Sequence, residues 1–175
     1  FWKVFKKTIY VPKRIRRPMG KKNVRKTEMA LAFPVDIKDT PDPQKLFCYL
    51  PTERFTGYPF IVQGDFLPIL GRSNIDEGHP WNKHLLKQLP ELIADAYEDL
   101  RNDSNLKLRI LSFLPLKNEC HDELFIKYID TIYKELKNRE IAFTRDGCFK
   151  KPINSIALPH DLWELFSNDD LHKIY

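Results

Sequence analysis

The first 27 residues contain no acid, the whole chain of 175 residues contains three cysteines, and no apolar run approaches the roughly 18–20 residues that a membrane helix requires. Each gap closes off a class of function. Cys48, Cys120 and Cys148 lie far apart with no CxxC spacing, so the sequence offers neither a disulfide framework nor a cysteine zinc site. All three are expected to be small buried hydrophobes. The start, FWKVFKK, lacks the apolar stretch of a secretory signal, and a cytoplasmic, non-membrane protein is the default expectation.

Catalytic signatures are missing as well. The chain holds no GxxxxGK[ST] loop, no GxGxxG, no HExxH and no GxSxG. His79 and His84 are the closest histidine pair, and their spacing suits a helix start better than a shared metal. Glu53 and Asp65 are conceivable carboxylates of a metal nuclease, but nothing supplies a third ligand or a basic partner. No metal site is expected, and the chain alone does not read as an enzyme.

What is present is a core. With 42% hydrophobic and 13% aromatic residues, the chain carries enough apolar surface for one α+β domain over residues 1–175. Its opening in mid-strand at Phe1 reads as a fragment of a larger protein. Charge is concentrated at one end. Eleven of the 29 Lys and Arg fall in residues 1–27, leaving 18 basic against 24 acidic residues in the remainder, a balance of −6. Within this segment Lys13, Arg14, Arg16, Arg17, Lys21 and Lys22 are candidate contacts to phosphates of a nucleic acid or of a nucleotide held next door. The competing reading is a hairpin whose lysines merely keep an edge strand soluble.

Periodicity divides the chain near residue 80. Before it, WKVFKKTIYVP, TEMALAFPVD, KLFCYLP and YPFIVQGDFLPIL read as four strands of an antiparallel or mixed sheet, with Gly64 a point of close backbone approach or a bulge. From Trp81, Leu85, Leu86, Leu89, Leu92, Ile93, Ala96, Tyr97 and Leu100 mark one helical face, with Pro90 expected to kink or restart it near Leu89. LKLRILSFLPL reads as a buried strand. A second helix follows, capped by Asp122, with Leu124, Phe125, Tyr128, Ile129, Ile132, Tyr133 and Leu136 facing the core. EIAFTRDGCFKKP is a hairpin turning at Asp146-Gly147, and DLWELFSNDDLHKIY supplies one or two terminal helices.

Three stretches, KLFCYLPTERFTGYPFIVQGDFLPILGRSNI, WNKHLL and IAFTRDGCFKKPINSIALP, resemble the sacsin-type ATPase family. In that family a GHKL nucleotide-binding module, related to that of the ninety-kilodalton heat-shock chaperones, precedes segments of this kind. The pattern falls on Leu50-Pro51, Gly57 to Phe60, Gly64 to Phe66, Gly71-Arg72, Trp81-Asn82, and Thr144, Asp146 and Gly147. Gly71 stands where the family often has serine. The nucleotide-binding signature, a Glu/Asn helix followed by Asp-x-Gly-x-Gly, is absent, so the resemblance implies the region after the ATP site. ATP and magnesium would then belong to a preceding ATP-binding domain of the same protein, and a protein client is a further implied partner.

One residue stands out under that resemblance. In the related chaperones a loop beyond the ATP site delivers a basic side chain to the terminal phosphate, and Arg72 resembles it, with Gly64, Asp65 and Gly71 as neighbouring candidate binding residues. A planar, permanently charged fork suits phosphate oxygens, and Gly71 allows a sharp turn or close approach. The alternative is a surface arginine paired with Asp76 or Glu77. A nucleic-acid module using the basic segment and a protein-interaction scaffold remain the other functional classes.

Overall fold

The computed structural model describes residues 1–15, 24–36 and 42–155. It is an α+β arrangement, as the sequence predicts. A five-stranded sheet comprises β1 (Trp2–Tyr10), β2 (Lys26–Pro34), β3 (Lys45–Cys48), β4 (Leu50–Phe55) and β5 (Ile61–Gly64) in the order β1-β2-β5-β3-β4. Every neighbouring pair is antiparallel except β3 with β5, so the sheet is mixed. Two α-helices, α1 (Pro80–Leu100) and α2 (Glu123–Leu136), complete the main body, and a small hairpin, β6 (Ala142–Phe143) with β7 (Phe149–Lys150), follows them.

Alternation explains how the sheet is buried. Met29, Leu31 and Phe33 of β2 have no exposure, while Lys26 and Glu28 on the opposite parity remain outside. Phe33 lies 5.0 Å from Phe60, 5.4 Å from Phe113 and 5.9 Å from Tyr97, ring centre to ring centre. Sheet and α1 therefore share one aromatic centre. The buried Tyr97 hydroxyl donates to the Phe113 carbonyl, and the Tyr58 hydroxyl donates to the Phe125 carbonyl at 2.9 Å. Burial pushes both phenol pKa values up, so these hydroxyls remain donors.

Four sequence expectations need correction. KLFCYLP is not one strand: β3 ends at Cys48 and a fifth strand, β4, begins at Leu50. Residues Lys107–Phe113 form a 3₁₀ turn and not a strand: Ile110 and Phe113 are buried and Leu108 and Leu111 exposed, a three-residue period. Helix α1 passes through Pro90 without restarting, because Leu85, Leu86 and Leu89 before it and Leu92, Ile93 and Ala94 after it are all buried on the same body. Cys148 is exposed, whereas Cys48 and Cys120 are buried as expected. The expected terminal helices in 161–175 lie outside the described residues. No helix among the described residues is long and apolar enough to cross a membrane.

Candidate functional site

Among the described residues, the segment between β5 and α1 combines a buried Trp-Asn clamp at its base with two left-handed residues at its tip. At the base, a Cβ on Gly64 would lie 2.7 Å from the Phe66 ring, so only glycine lets the chain fold over that aromatic. Asp65 is buried, its carboxylate 3.5 Å from the Thr27 hydroxyl, and its carbonyl accepts from Trp81 Nε1 at 2.6 Å. Asn82, fully buried at the start of α1, accepts from Leu67 N at 2.8 Å and donates to the carbonyls of Leu67 (2.9 Å) and Asp76 (2.8 Å). The Trp-Asn pair that the sequence flagged as a motif is thus the clamp on this segment.

Above the clamp the segment is a narrow hairpin. Asp76 N donates to Leu67 O and Ile69 N to Asn74 O, both at 2.9 Å, with Pro68 bridged to Ile75. Its tip is a single 3₁₀ turn, Leu70–Arg72, closed by Arg72 N on Ile69 O at 3.0 Å. Gly71 (φ 79°) and Arg72 (φ 59°) both occupy the left-handed region. A Cβ on Gly71 would meet nothing within 4 Å, so its glycine serves the turn and not a close approach. An arginine in that conformation stores strain, a feature that clusters at binding and switch positions.

One arginine braces the hairpin from the side and another sits at its tip. Arg54 of β4 is the structural one: its side chain is 10% exposed and its Nε and Nη2 grip Asp122 at 2.6 and 2.7 Å. Its Nη1 reaches Asn74 Oδ1 and Glu77 Oε1, each at 2.5 Å, and the guanidinium lies over the Phe125 ring at 5.6 Å. Asp122 also caps α2, accepting from Leu124 N at 2.9 Å and Phe125 N at 3.2 Å. Burial works against the Arg54 charge, but Asp122 and Glu77 more than offset it and hold its pKa above the ordinary value. One fork therefore joins the sheet edge, the hairpin and α2.

Arg72, at the exposed tip, is different. Its Nη1 donates to the Cys48 carbonyl at 3.2 Å, and no carboxylate among the described residues pairs with it. The alternative pairing with Asp76 or Glu77 is overturned: Glu77 is taken by Arg54, and Asp76 accepts from Gly78 N at 3.0 Å. The Cys48–Arg72 contact brings a second left-handed non-glycine residue, Tyr49 (φ 63°), beside the tip. Burial pushes the Cys48 thiol up to about 11 while Arg72 pulls it the other way, so this cysteine is an inert neighbour and not a nucleophile.

The structure brings Gly64, Asp65, Gly71 and Arg72 into one hairpin, but Asp65 sits buried at its base and Arg72 at its exposed tip. Sequence reasoning missed Arg54, whose partners lie 20 to 68 residues away, and Asn74, which it reaches. Among the basic-segment candidates, Lys13 and Arg14 are exposed in the turn after β1. Arg16, Arg17, Lys21 and Lys22 lie outside the described residues. The strand lysines are occupied: Lys3 with Asp103 at 3.3 Å, Lys6 with Glu28 at 3.1 Å, and Lys7 with Glu91 at 3.0 Å and Asp95 at 2.5 Å. His79 caps α1, accepting from Trp81 N at 3.1 Å. No group of three or more His, Cys, Asp or Glu among the described residues is placed to hold a metal, so Glu53 and Asp65 gain no third ligand.

Comparison with known proteins adds one relative. The protein NO VEIN of Arabidopsis thaliana is 30% identical over 112 residues, which is 57% of this chain and 4% of that protein. The chain thus spans a small part of the length of the relative it matches. No solved structure matches. No model of a protein family matches the chain, so the sacsin-type likeness stands as a resemblance of motifs, and similarity to a stretch of NO VEIN is what the comparisons establish.

Proposed function

We propose that this chain is the coupling domain of a larger, sacsin-like, ATP-driven protein, which receives the nucleotide state of a preceding ATP-binding domain and converts it into movement. The observation that carries the reading is Arg72, an exposed guanidinium on the tip of a clamped hairpin, with a backbone carbonyl as its partner and no carboxylate pairing with it among the described residues. Such a fork binds phosphate oxygens bidentately and stabilises charge that develops as a phosphoryl group transfers. Because the hairpin is already ordered by Asn82, Trp81 and Arg54, little conformational freedom is lost when the tip engages a partner. Within the basic segment Lys3, Lys6 and Lys7 are held by carboxylates of the protein itself, whereas Lys13 and Arg14 are exposed and leave the nucleic-acid reading open as the alternative. Nucleotide and magnesium belong to the preceding domain in this scheme.

The test uses the full-length protein. Arg72→Ala is expected to lower ATP turnover by about ten- to a thousandfold, the range for losing one electrostatic donor, with nucleotide affinity kept. Arg72→Lys is expected to recover little, since an ammonium lacks the fork. Unchanged turnover in Arg72→Ala with nucleotide bound overturns the reading.

A further inference from the structure

The five-stranded sheet has two edges, and they are finished differently. The β4 edge is blunt: it is short, carries Pro51, and its pairing with β3 breaks register between Lys45 and Phe47. These are the devices by which proteins prevent edge-to-edge pairing. The β1 edge has none of them. It is nine residues long, contains no proline, and pairs with β2 in unbroken register from Trp2 to Tyr10.

The orientation of its backbone follows from two bonds. Val11 N donates to Arg25 O and Val35 N to Phe1 O, both at 3.0 Å, so the odd-numbered residues of this ladder direct their backbone groups at β2. The N–H and C=O of Trp2, Val4, Lys6 and Thr8 therefore face outward. On that side His84 Nε2 meets the Tyr10 carbonyl at 2.9 Å and ends the run, and no described residue pairs with the other four.

Side chains reinforce the point. Trp2, Val4 and Tyr10, on the face turned from the core, are 46%, 49% and 67% exposed, while Phe5 and Ile9 pack inward. Lysines often guard an edge, but here Lys3 and Lys7 turn to acids at Asp103, Glu91 and Asp95, and Lys6 is paired across the ladder with Glu28. We infer that the edge of β1, unpaired among the described residues, is a strand-addition site for an extended segment of another polypeptide, apolar and β-branched opposite Trp2 and Val4 and acidic opposite Lys6. Main-chain pairing supplies the affinity in this mode, and alternate side chains supply the selectivity. A second copy fits worse, since two β1 strands paired about their centre would set the exposed Lys6 directly against its own counterpart, while Lys3 and Lys7 stay with the acids of their own chain.

The probe is a fluorescent nine-residue peptide with Val at positions 1, 3, 7 and 9, Glu at position 5 and Thr between, titrated against the chain. Saturable binding is expected, weakened at least tenfold when alternate peptide amides are N-methylated, and weakened likewise when the central Glu is replaced by Lys. Val4→Pro removes an N–H that faces the free edge and no ladder bond, so it is expected to keep the circular-dichroism spectrum and thermal transition while losing the peptide. The N-methylated peptide tests the same bond on the unaltered protein if that variant misfolds. Absence of binding, or equal binding of the N-methylated peptide, overturns the inference. Self-association that Val4→Pro abolishes, with no peptide binding, also overturns it and assigns the edge to a second copy.

Discussion

The base and the tip of the β5–α1 hairpin are made from the same kinds of residue and held in opposite ways. At the base, Arg54, Asn82 and Trp81 direct polar groups at partners inside the molecule, and Arg54 alone contacts Asp122, Asn74 and Glu77. At the tip, Leu70 is fully exposed, Gly71 and Arg72 sit in the left-handed region, and among the described residues the guanidinium has a single hydrogen bond. A buried, fully paired arginine stabilises a fold, whereas a strained, exposed one is available for something outside it. The rigidity of the first is what gives the second a defined position.

The sharpest way to break this contrast is to remove the base. Arg54→Met is expected to cost about 3 kcal/mol, at the lower end for breaking a buried pair, because Asp122 is 19% exposed and keeps its cap bonds to α2. Arg54→Lys is expected to regain less than half, since one ammonium cannot serve three partners in a plane. Urea unfolding measures both. A loss under 1 kcal/mol would mean that the fork is an ordinary surface pair and that the base and tip do not differ in kind.

The degree to which each part is legible in sequence follows the range of its interactions. Helices α1 and α2 are readable because every buried position recurs at helical spacing, and Asp122 is readable as a cap because capping is local. The Asp146-Gly147 turn is readable for the same reason, with Gly147 at φ 80°. Strand β4 is not: it begins after Tyr49, a left-handed tyrosine that no composition signal announces, and Pro51 argues against a strand. The apolar run at 107–113 is ambiguous between strand and helix by periodicity alone, and its three-residue period emerges only when Leu108 and Leu111 are seen to face solvent. Arg72 was identifiable as a lone cation on a Gly-preceded loop, but its freedom from Glu77 depends on Arg54, which reaches Glu77 from 23 residues away.

A second test asks which side of the contrast the basic first strand belongs to. Lys7, 29% exposed, bonds Glu91 and Asp95 of α1, and Asp95 in turn pairs with Arg139 at 3.0 Å. If that charge is structural, Lys7→Met costs about 1 kcal/mol. Burial lowers the Lys7 pKa, but Asp95 and Glu91 more than reverse this and raise it above the ordinary 10.5. The folded state therefore holds the proton more tightly than the unfolded chain. The stabilisation is complete below about 10.5 and is lost as pH rises through the higher folded value. Urea melts of wild type and Lys7→Met are expected to differ by a constant amount from pH 7 to 9 and to converge toward pH 11 and above. A difference that does not shrink at high pH would trace the effect to the packing of the alkyl stem.

The smallest effect is expected at the tip, where it is also the most informative. For a side chain with a Cβ the left-handed conformation costs roughly 1–2 kcal/mol, and glycine escapes most of it at an entropic cost of about 0.5–1 kcal/mol. Arg72→Ala keeps the strain and loses the exposed bond to the Cys48 carbonyl, so it is expected to fall by no more than about 1 kcal/mol. Arg72→Gly loses the same bond and releases the strain, so it is expected to match wild type and to exceed Arg72→Ala by about 0.5–1 kcal/mol. Calorimetric melting of the three proteins decides the matter. If Gly and Ala fall together by about 2 kcal/mol or more, the guanidinium is a structural strut like Arg54, base and tip do not differ in kind, and Arg72 is not an outward-facing phosphate ligand. If the Gly variant holds its melting temperature, the strained arginine is contributing nothing to the fold that a hydrogen atom could not, and its chemistry is directed outward.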